Sequence, residues 1–401
     1  MNRALSPFAV DLGIVSALGS GKTGTAERLF AGELPELSEE RIGGRAFRIA
    51  RAPESRRPPA EAGSDFRNRV DALIAEAASQ IADSVAAAID RYGPHRIAVI
   101  LGSTDNGSEE SLEAIRRRLA SGSFPDGYSL YRQSAELAPR FLASYFGLSG
   151  IAMAVSTACA SATTAMIRAR EFMAAELCDA AIVGGADIVS DSVALGFDAL
   201  EAVSPERCLP FSRNRRGITL GEGAALFLIC REDPVGEGIR LLGAGEASDA
   251  HHLTAPDPEG RGAARAMSLA LADAGLSPGE LGYLNLHGTG TSLNDSMESR
   301  AVASVFGEGG VPASSTKGSV GHTLGAAGAV ELGFCWLALS SRNAAEALPP
   351  HSWDGARDDE LPRMDLVEPG RRAVGLSTCM SVSFAFGGAD AGIVLGKTGG
   401  R

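Results

Sequence analysis

The stretch Ala154-Val-Ser-Thr-Ala-Cys-Ala-Ser-Ala162 surrounds one thiol with small residues, and the chain after it, to about Glu176, lacks glycine and proline while repeating Ala, Met and Phe at helical spacing. This predicts a helix that begins near the Cys159 sulfur, with Ser156 and Thr157 as N-cap candidates. The unpaired N–H groups and positive end of such a helix favour a thiolate and can hold an oxyanion on a neighbouring atom. Free cysteine is also among the most buried residue types, so position alone does not separate a nucleophile from a packed thiol.

Two distant segments separate them. Leu284-Asn-Leu-His-Gly-Thr-Gly-Thr291 and Thr316-Lys-Gly-Ser-Val-Gly-His-Thr-Leu-Gly-Ala-Ala-Gly-Ala-Val-Glu331 each set a histidine, His287 and His322, on a glycine-rich turn after an apolar or small-residue stretch. Turns of that kind bring backbone close to a ligand.

Alternation surrounds these segments. Apolar Phe8–Val15 leads to a helix expected at Thr25–Ala31. Arg96–Leu101 and Ala180–Val183 read as short strands, and Ala-rich Val70–Tyr92 as one long helix. Beyond Gly238, strands are expected at Arg240–Gly245 and Gly282–Leu286, helices at Gly262–Ala274 and Ala327–Ser340, and closing strands at Arg372–Ser377 and Ala391–Leu395. The class is α/β, with parallel sheets covered by helices. No linker or low-complexity tract divides the chain, so it reads as one compact unit of two halves, 1–237 with the cysteine and 238–401 with both histidines. A hydrophobic fraction of 45% supplies the core, while 5% aromatic content and 49 glycines point to close packing through small side chains.

A net charge of −12 argues against a general nucleic-acid binder. No apolar run reaches the roughly 20 residues that span a bilayer, and Met1–Pro7 lacks the apolar centre of a signal peptide. Six scattered cysteines without C-x-x-C spacing indicate neither zinc nor a disulfide framework. A cytoplasmic protein with reduced thiols is expected. Basic clusters at Arg67 and Arg69, Arg116–Arg118, and Arg213, Arg215 and Arg216 are either solvated faces or a patch for an acidic partner.

Ser16-Ala-Leu-Gly-Ser-Gly-Lys-Thr23 nearly matches the phosphate loop G-x-x-x-x-G-K-[ST], but Ser16 occupies the position of the first glycine and no strand ending in a metal-binding aspartate is evident. Nucleotide binding is not expected. His251 and His252 are adjacent, but no third ligand is evident, and metal binding is not expected there either.

With the motifs around Cys159, His287 and His322 in hand, the chain strongly resembles the beta-ketoacyl-acyl carrier protein synthases, the condensing enzymes of fatty acid and polyketide synthesis. Val10-Asp-Leu-Gly-Ile-Val-Ser-Ala-Leu-Gly19, Gly221-Glu-Gly-Ala-Ala225 and Ser383-Phe-Ala-Phe-Gly-Gly-Ala-Asp390 extend the resemblance over nearly the whole chain. It implies the thiolase-like fold, two similar halves stacked as five αβαβα layers. It implies Cys159 as nucleophile, His287 and His322 as catalytic partners of the elongating type, and a Lys317–Glu331 ion pair beside His322. Thr289 and Thr291 would hold the pantetheine arm, and Asp295 and Glu298 would support the loop. Phe386 would be a gate whose N–H joins that of Cys159 in an oxyanion hole, with His251 and His252 near the mouth of the substrate channel. The implied partner is an acyl carrier protein bearing phosphopantetheine-linked acyl and malonyl groups. No cofactor or metal is implied. A homodimer is expected, or a heterodimer with a paralogue. The alternative is a non-catalytic partner subunit resembling a chain-length factor, although such proteins lack the nucleophile.

There are departures from the family pattern. Ala385 replaces the usual Gly and predicts a stiffer gate. Ala389-Asp390 replaces Thr-Asn, while Ser212 and Arg216 replace acidic residues. The loop Leu101-Gly-Ser-Thr-Asp-Asn-Gly107 is polar for an acyl pocket.

Overall fold

The computed structural model describes residues 5–53, 68–105 and 107–397. One set of strands runs in the order Phe8–Ser16, Gly223–Cys230, Ala180–Asp187, Ile97–Gly102, Ala152–Val155. A second set runs Ile239–Ser248, Ala389–Lys397, Thr378–Ala385, Tyr283–Asn285, Pro312–Ser314, Asp365–Leu366. The two are joined by one register pair, Phe8 with Arg240.

Between them lie the helices Ser161–Ala174 and Ala327–Leu339, each touching strands of both sets. Helices Arg69–Ser79 and Leu137–Tyr145 cover the outer face of the first set, and Arg261–Ala274 that of the second. The result is five layers, α-β-α-β-α. Helix 327–339 shows what its layer demands: all its residues are buried, as expected of a helix that is apolar all round. The two central helices cross closely, since a β-carbon on Gly328 would lie 2.0 Å from Thr163 Oγ1.

The sheets are mixed, which corrects the expectation of parallel ones. Ile97–Gly102 is parallel to both of its neighbours. Gly223–Cys230, however, lies antiparallel between Phe8–Ser16 and Ala180–Asp187. In the second half Thr378–Ala385 and Ala389–Lys397 form an antiparallel hairpin. Its turn contains Gly387 at φ 85° and Gly388 at φ 73°, so no crossover helix is required.

Three other expectations are corrected. Val70–Tyr92 is two helices, Arg69–Ser79 and Ala82–Tyr92, bent by 74°. At the break the Gln80 side chain bonds across to strand backbone, accepting from Ile14 N at 2.9 Å and donating to Ile14 O at 3.1 Å. The segment 372–377 makes one isolated bridge, Arg372 with Ala347, and turns at Gly375, φ 74°; the strand begins at Thr378. The helix after Cys159 starts at Ser161, and neither Ser156 nor Thr157 caps it. Among the described residues no single helix is long and apolar enough to cross a membrane.

Candidate active site

Cys159 stands on an elbow between strand Ala152–Val155 and the helix that starts at Ser161. Ala158 turns the chain in the left-handed region, φ 48°. Ser161 braces the turn, its Oγ accepting from Thr157 N at 2.9 Å and donating to Ala158 O at 2.6 Å. Left-handed conformations cost a residue with a β-carbon about 1–2 kcal/mol, and Phe211 and Leu324 near the same site adopt them too. Local strain of this kind concentrates at functional sites.

The elbow delivers the sulfur to two histidines. Cys159 Sγ lies 3.0 Å from His322 Nε2, and the His287 and His322 rings meet edge to face with centroids 5.3 Å apart. The sulfur and one nitrogen from each ring lie within 4.8 Å of one another. His322 is held by backbone: its N donates to Thr219 O at 2.7 Å, and its O accepts from Gly221 N at 3.0 Å. Gly221 sits so close that a β-carbon would lie 2.3 Å from Val320 O, which gives the 221–225 motif a physical reason.

Lys317 is fully buried beneath these rings. Its Nζ donates to Glu331 Oε1 at 2.5 Å and to the backbone O of His287, and lies 3.4 Å from His287 Nδ1. A donor at Nδ1 leaves the ring proton on Nε2, so His287 presents an N–H to the cavity. Burial, with Lys317 nearby, pushes both imidazoles well below their ordinary range, and they are neutral at pH 7.

The thiol corrects the expectation of a thiolate. Burial pushes Cys159 up to about 12, against a downward pull from Lys317, so the resting group is a thiol. A proton acceptor stands beside it in His322 Nε2.

Asp295 and Glu298, on the helix Ser292–Phe306, clamp the loop that precedes it. Glu298 accepts from His287 N and Gly288 N, both at 2.7 Å. Asp295 accepts from Phe211 N at 2.7 Å and Gly290 N at 3.2 Å. Thr289 and Thr291 hydroxyls lie 2.9 Å apart on the wall of a cavity of about 440 Å³ that reaches Cys159 and both histidines. Phe386 lines the same cavity, 39% exposed and stacked on Phe197 at 6.0 Å. Ala385 has no left-handed φ, and strain at that position is not found; the left-handed residues of the turn after Phe386 are Gly387 and Gly388.

Sequence reading missed two supports. Asp187 takes hydrogen bonds from Ser103 Oγ, Thr104 N and Oγ1, Asp105 N and Gly325 N, tying the polar 103–105 loop to the turn after His322. Its one signal was a carboxylate ending an otherwise apolar strand. His351 accepts from Ser315 N and donates to Pro210 O, both at 3.0 Å, bridging two loops beside His287. Other expected residues are committed elsewhere. Arg69 pairs with buried Glu222, so it is not a free docking charge, and Arg67 lies outside the described residues. Lys22 of the phosphate-loop look-alike bonds Asp11 and Gln80 O. His251 and His252 are both exposed, with His252 on the cavity wall.

Residues 66–234 match the family described as "Beta-ketoacyl synthase, N-terminal domain", and residues 239–350 its C-terminal domain. Along almost its full length the chain is 30% identical to 3-oxoacyl-[acyl-carrier-protein] synthase 2 of Coxiella burnetii, covering 96% of this chain and 97% of that protein. The chain belongs to the beta-ketoacyl synthases. Among solved structures, this beta-ketoacyl synthase resembles a ketosynthase in complex with its chain length factor from Xenorhabdus doucetiae, with 40% identity, TM-score 0.89 and 99% of each chain covered. A beta-ketoacyl synthase from Burkholderia phymatum gives 30% identity and TM-score 0.83 over 98% of this chain and 100% of that one. The thiolase-like architecture expected from sequence is thus the one observed.

Proposed function

We propose that the chain catalyses decarboxylative Claisen condensation of an acyl primer with a malonyl group, both delivered as phosphopantetheine thioesters on an acyl carrier protein. The observation that carries this reading is the convergence of one thiol, two neutral imidazoles and Lys317 at the end of one cavity.

The steps follow from proton positions. His322 Nε2 takes the Cys159 proton as sulfur attacks the acyl thioester, and returns it to the departing carrier thiolate. The tetrahedral oxyanion is held by the N–H groups of Cys159 and Phe386. Malonyl thioester then occupies the cavity, its arm against Thr289 and Thr291. Loss of carbon dioxide leaves the electron pair of the broken C–C bond on an enolate. His287 Nε2–H stabilises the enolate oxygen, and His322 assists through a proton that its Nε2 takes from solvent. The enolate carbon attacks the acyl carbonyl, the tetrahedral adduct expels Cys159 as thiolate, and His322 Nε2 delivers that proton to the sulfur. The same residues argue against a chain-length-factor-like subunit, which has no use for an aligned thiol and histidine pair.

We further propose a dimer through the partly exposed edge strand Ala152–Val155, with an identical chain or a paralogue, and a cytoplasmic location in which its six free, buried cysteines stay reduced. The carrier protein would meet exposed Arg213 and Arg216, the latter on the cavity wall. Intact mass after incubation with a panel of acyl-carrier thioesters tests the reaction. An acyl adduct on the wild type, absent from Cys159→Ala and discharged by malonyl-carrier protein, is expected; a wild type that takes no acyl group from any donor would overturn the reading.

A further inference from the structure

The wall of the cavity carries two carboxyl groups, Asp249 and Asp390, that the steps above do not use. Asp390 is only 3% exposed. It sits in strand Ala389–Lys397, opposite Phe384 on one side and Ala247 on the other, four residues from the gate Phe386. Asp390 Oδ2 and Asp249 Oδ1 are both buried and bonded to no donor among the described residues. They converge on one point: a β-carbon added to Gly262 would meet Asp390 Oδ2 at 2.2 Å and Asp249 Oδ1 at 2.4 Å. Glycine at 262 is what leaves room for both.

Among the described residues no cation is bonded to the free oxygens of this pair. Arg261, the nearest candidate on the helix that packs against it, is engaged by Asp257, with Nε to Oδ2 at 2.8 Å and Nη2 to Oδ1 at 3.2 Å. Asp257 adds negative charge, and its backbone N–H donates to Asp249 Oδ2 at 2.9 Å. His252 on the facing loop is exposed and accepts from Thr254 N at 3.2 Å. Two adjacent carboxylates without a counter-charge repel, whereas one shared proton allows a hydrogen bond between them.

The pair stands where two loops meet. Asp249 N donates to Gly388 O at 3.0 Å, and Gly387 N donates to Leu253 O at 2.7 Å, so the gate turn is already stitched to the 249–253 loop. We propose that Asp249 and Asp390 share one proton and are positioning residues for the Phe386 gate, closing the 386–388 turn on the 249–253 loop while the proton is present and releasing it when the proton is lost. Burial first, then the adjoining Asp249 and Asp257, raise Asp390 to about 8, so Asp390 keeps its proton at neutral pH. As pH rises through that value a second negative charge appears and the loops separate.

The effect on catalysis rests on the condensing reading, while the shared proton does not. Two arms therefore use the whole protein without substrate. The infrared difference between wild type and Asp390→Asn, in which other raised carboxyl groups such as Asp71 cancel, should contain a carboxylic-acid band at pH 7 that is largely lost by pH 9, since the amide of the variant donates to Asp249 without titrating. Hydrogen-exchange protection at Gly387 and Asp249, whose N–H groups donate across the two loops, should, corrected for intrinsic rate, be lost above about pH 8 in the wild type, and that at Gly387 should stay level in Asp390→Asn. In a third arm, admission of malonyl-carrier substrate to the acylated enzyme should show the same pH step in the wild type only. Asp249→Asn serves if Asp390→Asn does not fold. A missing carboxylic-acid band at pH 7, a band unchanged in both variants, or magnesium ions raising the melting temperature of wild type alone would overturn the shared proton. An intact titration with no acyl transfer at any pH would count against the condensing reading instead.

Discussion

Cys159 Sγ and His322 Nε2 are 3.0 Å apart across 163 positions of sequence, a contact made by the elbow before one central helix and the turn before the other. The sulfur gains a proton acceptor from it, yet burial leaves the group a thiol. The first prediction concerns reactivity. Because the thiol is raised to about 12, the thiolate fraction grows tenfold per pH unit throughout the working range. Iodoacetamide labelling of Cys159, followed by mass spectrometry, should therefore climb with unit slope from pH 7 to 10. A plateau near pH 7 would show a stabilised thiolate.

The ion pair gives a second. Lys317→Ala leaves Glu331 buried and unpaired, at a cost of about 3–5 kcal/mol. Replacing both partners, as Lys317→Met with Glu331→Leu, should recover most of the stability in denaturant titrations. Condensation should stay depressed in the double variant, because nothing then sets the His287 tautomer. Recovered turnover would reduce the pair to packing.

At the gate, Gly387 at φ 85° meets nothing within 4 Å of an added β-carbon, so Gly387→Ala acts through backbone strain alone. It should slow condensation more than acylation, with a stability loss of about 1–2 kcal/mol. Ala385→Gly should leave the distribution of products from mixed acyl donors unchanged, since Ala385 occupies ordinary strand geometry. A changed distribution would restore a role for Ala385.

Glu298 uses one oxygen for His287 N and the other for Gly288 N. In Glu298→Gln one of these buried N–H groups loses its acceptor, at about 1–3 kcal/mol. A lower melting temperature and a reduced kcat should appear together, with Cys159 acylation by small thioesters less affected. An unchanged melting curve would mean the loop holds itself.

Much was legible because it is written locally. Small residues around Cys159 announce an elbow, and glycines flanking His287 and His322 announce turns that approach a ligand, whatever the rest of the chain does. The unbroken apolar character of 327–339 requires a helix buried on every side, while the pairing of its one glutamate, Glu331, with Lys317 was implied by the family resemblance. What stayed hidden depends on distance through space. Strand direction in each sheet was decided by a hairpin at 386–388 and by Gly223–Cys230 inserting antiparallel between two strands. Arg69 looked like a surface charge until the fold set it on Glu222. The protonation of Cys159 and the meeting of Asp249 with Asp390 were decided by tertiary structure alone, because both arise from desolvation and from charges that only the folded chain brings within a few ångströms.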